Sequence, residues 1–172
     1  MHLGGIHIHH QLGEKETLQH AQTRYHLGQV MRFRGNYGQA EINLQRALRT
    51  QQKLLEDPNH PDVAPTLHEL GVVKIKQQHL KAAEKYLLAS LKLKQSQRGE
   101  VGSGPVAGAE AAALYQLAIV ATISRPPRLD GAEKLLLRVL DLGSDGGATR
   151  AATLQQLGRV ALRRGELDIA ET

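Results

Sequence analysis

Histidine is the residue type with which this sequence comes closest to a chemical site. His7, His9 and His10 lie in the first sixteen residues, MHLGGIHIHHQLGEKE, and short His-rich tracts bind metal ions in some proteins. The sequence contains no cysteine, and no carboxylate is placed to complete a coordination shell around these imidazoles. We therefore expect no metal site in this segment.

The remaining patterns of catalytic residues receive no support from the sequence. No histidine follows His79, so any histidine-based mechanism has to come from the first half of the chain. Gly102, Gly104 and Gly108 lack the spacing of a dinucleotide-binding loop, and no Gly-Lys-Ser/Thr follows them. Several glutamates lie where exposed or interhelical charges are expected: Glu14, Glu16, Glu41, Glu84 and Glu133. We predict a protein that is not an enzyme and needs no cofactor.

Composition limits the class of protein further. The 172 residues carry a net charge of +5, only 3% are aromatic, and tryptophan is absent. No apolar run approaches the roughly 18 residues that a membrane span requires. The first residues also lack the charged start and apolar block of a secretory signal. We expect a soluble, cytoplasmic protein without a membrane partner.

The elements that would position any site are most evident in residues 61–94. This stretch predicts two amphipathic helices joined by a tight turn, because Leu67, Leu70 and Leu87 follow helical spacing. Gly71 and Ala83 are small where the two helices of a hairpin have to approach closely. The expected object is an antiparallel pair of helices.

The same unit recurs along the chain. A Leu-Gly or Leu-Ala step marks each first helix, and the steps are 43, 47 and 40 residues apart, at Leu27, Leu70, Leu117 and Leu157. An Ala-Glu step marks each second helix, at Ala40, Ala83, Ala132 and Ala170. The turn SRPPRLDG, residues 124–131, accounts for the two additional residues between these steps in the third unit. Four copies in register at two anchors indicate a repeat array.

These residues resemble tetratricopeptide repeats. The long period and the segment HPDVAPTLHELG before a first helix resemble the kinesin light chain type. The resemblance implies an all-α fold, a right-handed α-solenoid of antiparallel helix pairs. It departs from the pattern at Arg24, where other copies have leucine, and at Lys74, where an aromatic residue is usual.

The array is divided into units by these anchors. We predict units near 17–60, 61–104, 105–147 and 148–172, the last of them incomplete. In the first unit, helices are expected near 17–34 and 37–55, with Gly35-Asn36 as the turn. Residues 97–108 are interpreted as a flexible loop, and Gly165 as the turn into a helix that has hardly begun. Residues 1–16 are interpreted as an N-terminal segment and the remnant of a preceding helix, because Leu12 lies 15 residues before Leu27.

The resemblance also implies a site. In such repeats the first helices line a concave groove that binds peptides, and kinesin light chains use it for tryptophan-acidic cargo motifs. A protein–protein interaction scaffold or adaptor is therefore implied, whose partner carries apolar and acidic residues. The groove positions are Tyr25, Gln29, Arg32, Phe33, His68, Val72, Ile75, Lys76, Tyr115, Ile119, Thr122, Gln155, Arg159, Leu162 and Arg163.

Three alternatives stay open at this point. The positive charge permits nucleic-acid binding, although lysine and arginine are spread over both helices of each pair and the densest group is only Arg159, Arg163 and Arg164. The array also fits the sensor region of a larger signalling protein. The incomplete fourth unit predicts a piece of a longer array, or self-association through Leu154, Leu157, Val160 and Leu167.

Overall fold

Helices make up nearly all of the chain that the computed structural model describes, residues 17–101, 105–143 and 147–170. No strand occurs within those ranges. The helices are α1 (Leu18–Phe33), α2 (Tyr37–Leu54), α3 (Ala64–Lys76), α4 (Leu80–Val101), α5 (Pro105–Ile123), α6 (Leu129–Asp141) and α7 (Gly147–Ala170), with a 3-10 turn at Pro61–Val63 before α3. Helices α1 to α6 form three consecutive pairs, and α7 packs on the third pair. The predicted all-α solenoid is confirmed.

In the first pair, polar side chains accept hydrogen bonds from free backbone N–H groups at the start of each helix, and a glycine forms the turn between the helices. The Thr17 hydroxyl accepts a hydrogen bond from the backbone N–H of His20, so Thr17 caps α1. Gly35 has a φ of +77°, a left-handed conformation that glycine adopts without strain. The side chain of Asn36 then caps α2 by accepting from the N–H of Gln39. The predicted turn at Gly35-Asn36 is confirmed.

Within a unit, a leucine of the second helix fills the space left by a glycine of the first. A Cβ atom added to Gly71 would lie 2.6 Å from Cγ of Leu87 and 3.4 Å from the carbonyl oxygen of Ala83. In the first unit, a Cβ on Gly28 would lie 2.6 Å from Cγ of Leu44. The small residues are therefore required by helix contact, as the sequence predicts.

Between units, the first helix packs apolar residues onto the second helix of the unit before it. Leu70 and Val73 of α3 share a buried cluster with Ala40 and Leu44 of α2. The same arrangement recurs with Leu117 and Val120 against Ala83 and Leu87, and with Val160 against Ala132 and Leu136. Each pair therefore stacks on the previous one through an apolar seam.

Each of these seams also carries an ion pair. The glutamate of every described Ala-Glu step contacts a cation of the next unit, which confirms that these glutamates carry interhelical charges. The three contacts are Glu41 with Lys74 at 2.7 Å, Glu84 with Arg128 at 2.7 Å, and Glu133 with Arg164 at 3.0 Å. Lys74 occupies the position that is usually aromatic, and its contact with Glu41 explains how a lysine is accommodated there.

The loop predicted over residues 97–108 is largely wrong. Helix α4 continues to Val101, and α5 begins at Pro105. Proline is favoured at the first position of a helix, because the N–H that it lacks would have no hydrogen-bond partner within the helix there. Lys94 Nζ donates to the carbonyl oxygen of Ala109 at 3.0 Å, which ties the end of α4 to the start of α5. These long-range contacts offset the cost of a glycine inside a helix, about 1 kcal/mol.

The turn predicted at Gly165 is also wrong, because α7 runs unbroken to Ala170. A helical hairpin becomes stable only when its second helix packs back on the first. Continuing the helix past Gly165 keeps the backbone hydrogen bonds of the described residues that follow. Glu171 lies outside the described residues.

The side chains predicted to lack a partner on α7 differ in burial. Val160 is only 2% exposed, because it faces α6 in the third seam, and Leu157 packs partly against the same cluster. Leu154 is 49% exposed, and the Leu167 side chain lies outside the described part of the chain. The expectation for Val160 is therefore corrected, and that for Leu154 is confirmed.

Replacing Gly71 with alanine tests the close approach inside a unit. The new methyl group meets Cγ of Leu87, which lies near the backbone and moves little, so we expect a loss of stability of about 1–3 kcal/mol. Urea unfolding followed by circular dichroism measures it.

Gly158 provides the matched control, because a Cβ added there has no atom of the described residues within 4 Å apart from its own helix backbone. Gly158→Ala should raise stability by about 0.5–1 kcal/mol, since alanine is the better helix former. If the two variants changed stability by the same amount and in the same direction, the contact argument would be wrong.

Candidate functional site

The first helices of the units lie side by side and form one face of the array. Helix α1 contacts α3, α3 contacts α5, and α5 contacts α7. All of the predicted groove residues lie on these four helices. The face they share is called the concave face below, after the family geometry.

A buried glutamate draws three of the predicted groove residues together. Glu69 of α3 is 8% exposed. Its Oε2 accepts from Nε of Arg32 at 2.8 Å, and its Oε1 accepts from Nε2 of Gln29 at 3.0 Å. The same Gln29 nitrogen also donates to the hydroxyl of Tyr25 at 3.0 Å. Glu69, which the sequence did not predict as a site residue, therefore neutralises Arg32 inside the array.

Burial sets the ionisation of the neighbouring groups. Burial, together with the charges of Lys94 and Arg32, lowers the pKa of His68 to about 4, while the charge of Glu69 acts in the opposite direction. Burial also lowers the pKa of Lys94, against the attraction of Glu69. The pKa of Tyr25 is raised, first by burial and then by the Glu69 charge. His68 is thus neutral at pH 7.

His68 also has an unsatisfied buried atom. Its Nδ1 finds no hydrogen-bond partner among the residues that the structure describes. A buried polar atom without a partner is costly, and a ligand reaches this nitrogen only after neighbouring side chains move. Because the imidazole is neutral, a contact made there is a hydrogen bond and not an ion pair.

Other predicted positions are more accessible. Phe33 is 77% exposed, and the guanidinium carbon of Arg32 lies 4.2 Å from the centre of its ring, a cation–π arrangement. Lys76 is exposed, whereas Tyr115 and Ile119 are half-buried. These side chains offer both apolar and cationic surface to a ligand.

Three predicted positions lie beneath the concave face. Val72 is 9% exposed and Ile75 is 8% exposed, and Ile75 belongs to the seam cluster with Leu87. Thr122 is 5% exposed, and its hydroxyl donates to the carbonyl oxygen of Ala118. These three side chains therefore present little surface in this structure, in the case of Ile75 because the next unit covers it, and their place in the groove stays a prediction.

The fourth unit contributes its residues in two places. Gln155 and Arg159 are exposed, and Leu162 is 71% exposed. Arg163 lies instead at the wall of a cavity beside the turn between α5 and α6. The cationic group predicted at Arg159, Arg163 and Arg164 is therefore dispersed, since Arg164 contacts Asp130 and Glu133.

A second cavity opens next to the Glu69 cluster. Its volume is about 450 Å³, and its lining includes Leu18, Tyr25, Leu55, Pro65 and Lys94. The lining is mainly apolar, with the Lys94 ammonium group at one wall. This size lies within the range of ligand pockets, about 300–1,000 Å³. Tyr25 therefore links the cavity to the hydrogen-bonded cluster.

The described ranges lack two further kinds of site. No group of three or more histidines and carboxylates there could hold a metal ion, and His7, His9 and His10 lie outside those ranges. Among the same residues, no helix combines the length and apolar character that crossing a membrane would require.

The ionisation of His68 predicts how stability depends on pH. The folded pKa is about 4 and the ordinary value is 6.5, so protonation favours the unfolded chain. Stability is fully present above pH 6.5 and falls as the pH drops toward 4, by about 2.5 kcal/mol at pH 4.5. Urea unfolding measured above pH 6.5 and at pH 4.5 should show this loss of stability. His68→Gln should reduce the loss, because glutamine does not titrate. An equally steep loss in the variant would contradict the assignment.

Comparison with known proteins places this geometry in context. The tetratricopeptide repeat family matches residues 19–96. The crystal structure of nearly identical tetratricopeptide-like repeats from a candidate kinesin light chain of Podosopora anserina is similar, with a TM-score of 0.70 and 19% identity. The similarity covers 91% of this chain and 72% of that one. A variant of the same Podosopora anserina protein gives a TM-score of 0.68 at the same identity and coverage.

The search of curated proteins returned no sequence match. Tetratricopeptide repeats generally mediate protein–protein interactions, and such a fold is typically a non-catalytic scaffold. The family match, the stacked helix pairs and the structural similarity agree with one another. The described helices therefore have the fold of a tetratricopeptide repeat array, and residues 19–96 match that family.

Proposed function

We propose that the concave face binds an extended peptide segment of a partner protein, and that the protein acts as a non-catalytic adaptor. The observation that carries this proposal is the apolar cavity beside Tyr25, next to the buried Glu69 cluster. Such a pairing of an apolar pocket with a few placed polar groups is typical of binding sites. The peptide would run along α1, α3 and α5.

The cavity supports an apolar anchor in the peptide. Leu18, Leu55 and Pro65 form apolar walls, and the lining has no described carboxylate other than that of Asp62. A bulky apolar side chain that enters this space is removed from water, at about 25 cal/mol per Å² of apolar surface.

The charges support acidic residues beside that anchor. Lys76 and Arg159 are exposed on the concave face, and no ion-pair partner is found for either among the described residues. Arg32 differs, because Glu69 already holds its Nε. An acidic peptide would meet Arg32 only through its terminal nitrogens, in competition with Glu69. Glu69 thus limits how much the first unit attracts acidic ligands.

The other predictions from sequence have less support. The dispersal of Arg163 and Arg164 leaves no continuous basic stripe on the described helices that would favour nucleic acid. A cytoplasmic location, a sensor role in a larger protein and self-association through α7 stay predictions.

A peptide with one tryptophan flanked by aspartates tests the proposal. Because the protein contains no tryptophan, the emission and anisotropy of the peptide report binding directly. We expect saturable binding that weakens in salt, since screening reduces the ion pairs. Tyr25→Ala should weaken binding about tenfold, as it removes one wall of the cavity, a loss typical of an anchor pocket.

Arg49→Gln is the control, because Arg49 is exposed on α2, away from the first helices. A dye-labelled peptide with alanine in place of tryptophan should bind at least tenfold more weakly. If that peptide bound as well as the tryptophan peptide, the apolar anchor would be excluded.

Glu69→Gln tests the competition for Arg32. The variant keeps the shape of the side chain and frees the Arg32 charge, so the acidic peptide should bind about three- to tenfold more tightly. A peptide with glutamine and asparagine in place of its acids should show no such gain. The variant should unfold at the same urea concentration as the wild type. If it does so and still binds the acidic peptide more weakly than the wild type, the role given to Glu69 is wrong.

A further inference from the structure

The cavity that Arg163 lines is separate from the one beside Tyr25 and lies at the edge of the array where the helices turn. Its volume is about 800 Å³. Its walls come from the start of α4, the end of α5, the turn before α6, and α7. Three successive units therefore line it. The peptide binding proposed for the concave face does not use this cavity.

Positive charge dominates the walls of this cavity. Lys81, Arg125, Arg128 and Arg163 line it together with one carboxylate, that of Glu84. Two nitrogens of Arg128 donate to the two oxygens of Glu84, at 2.7 and 3.1 Å. These two side chains therefore neutralise each other and leave the other three cations as the net charge.

Those three cations are unlike most interhelical cations of the array. Elsewhere in the array, such cations have acidic partners: Glu69 contacts Arg32, Glu41 contacts Lys74, and Asp130 contacts Arg164. For Lys81, Arg125 and Arg163 no ion-pair partner is found among the residues that the structure describes. Three unneutralised cations in one cavity repel each other, and an anion would relieve that repulsion.

The backbone around the cavity favours an anion as well. Helix α4, 22 residues long, begins at the cavity wall with Leu80, and the start of a helix carries partial positive charge. At the end of α5, the carbonyl oxygen of Ala121 accepts from the backbone N–H of Arg128 and from the hydroxyl of Ser124. That carbonyl is therefore occupied by its own chain.

We propose that this cavity binds a phosphate monoester carried by a peptide. A phosphorylated side chain has a charge near −2 and three strong acceptor oxygens, which suits two arginines and a lysine. The cavity is much larger than a phosphate group, and its remaining lining includes Leu80, Val120 and Ile123. These apolar walls would contact the residues next to the phosphorylated side chain, which favours a peptide over free phosphate.

Fluorescence anisotropy with a dye-labelled phosphoserine peptide, with leucine on each side of the phosphoserine, tests this site. We expect saturable binding to the whole chain. The double variant Arg125→Gln with Arg163→Gln should bind at least tenfold more weakly. The charge-matched double variant Arg46→Gln with Arg49→Gln, on the exposed surface of α2, should change binding less than twofold. Circular dichroism and urea unfolding establish that each variant is folded.

Several outcomes would overturn the proposal. Equal weakening in both double variants would show a non-specific effect of surface charge. Equal binding of the serine peptide, or of one with aspartate at that position, would show that the phosphate is not recognised. Inorganic phosphate that competes at the concentration of the peptide itself would assign the cavity to the free ion. By contrast, retention of binding by Arg163→Lys, with loss in Arg163→Gln, would support the proposal, because it indicates a charge contact. Glu69→Gln should leave this binding unchanged, which separates the site from the concave face.

Discussion

The structure depends on the close approach of the two helices in each unit. A leucine of the second helix occupies the space that a glycine or alanine of the first leaves open, as in the pairs of Leu44 with Gly28 and Leu87 with Gly71. This contact fixes the angle at which one helix meets the other, because protein interiors do not tolerate overlap of this size. The apolar seams and the alignment of the first helices follow from it, and so does the position of every side chain on the concave face.

Local patterns predicted the parts of the fold that local chemistry decides. Helical spacing, the Gly35-Asn36 turn and the small residues at Gly71 and Ala83 were all readable from neighbouring residues. The stretch from 97 to 108 and Gly165 were misread for the same reason. When a glycine is judged by its neighbours in sequence alone, it suggests that a helix ends. The contacts that keep the helix intact, such as that of Lys94 with Ala109, come from another helix. Tertiary contacts override a propensity of about 1 kcal/mol.

The site was predicted in outline only, because spacing tells which face a residue lies on but not how deep it lies. Ile75 has the spacing of a groove residue, yet the next unit covers it. Glu69 was missed because its partners Gln29 and Arg32 belong to the previous unit, 40 and 37 residues away. The sequence carried one signal of these partners. Apart from His68, the residues around Glu69 are apolar, which indicates that it is buried. A buried carboxylate requires partners that neutralise it or donate hydrogen bonds to it.

The glutamates at the seams make the order of the units matter. Each one has its partner at a different place in the following unit: within α3 for Glu41, in the turn before α6 for Glu84, and late in α7 for Glu133. A unit moved elsewhere in the chain would bring its glutamate to a neighbour whose cation is out of reach. The units look alike in their apolar contacts, yet they are not interchangeable parts. Shuffling, duplication or deletion of a single unit would leave mismatched charges at each new junction.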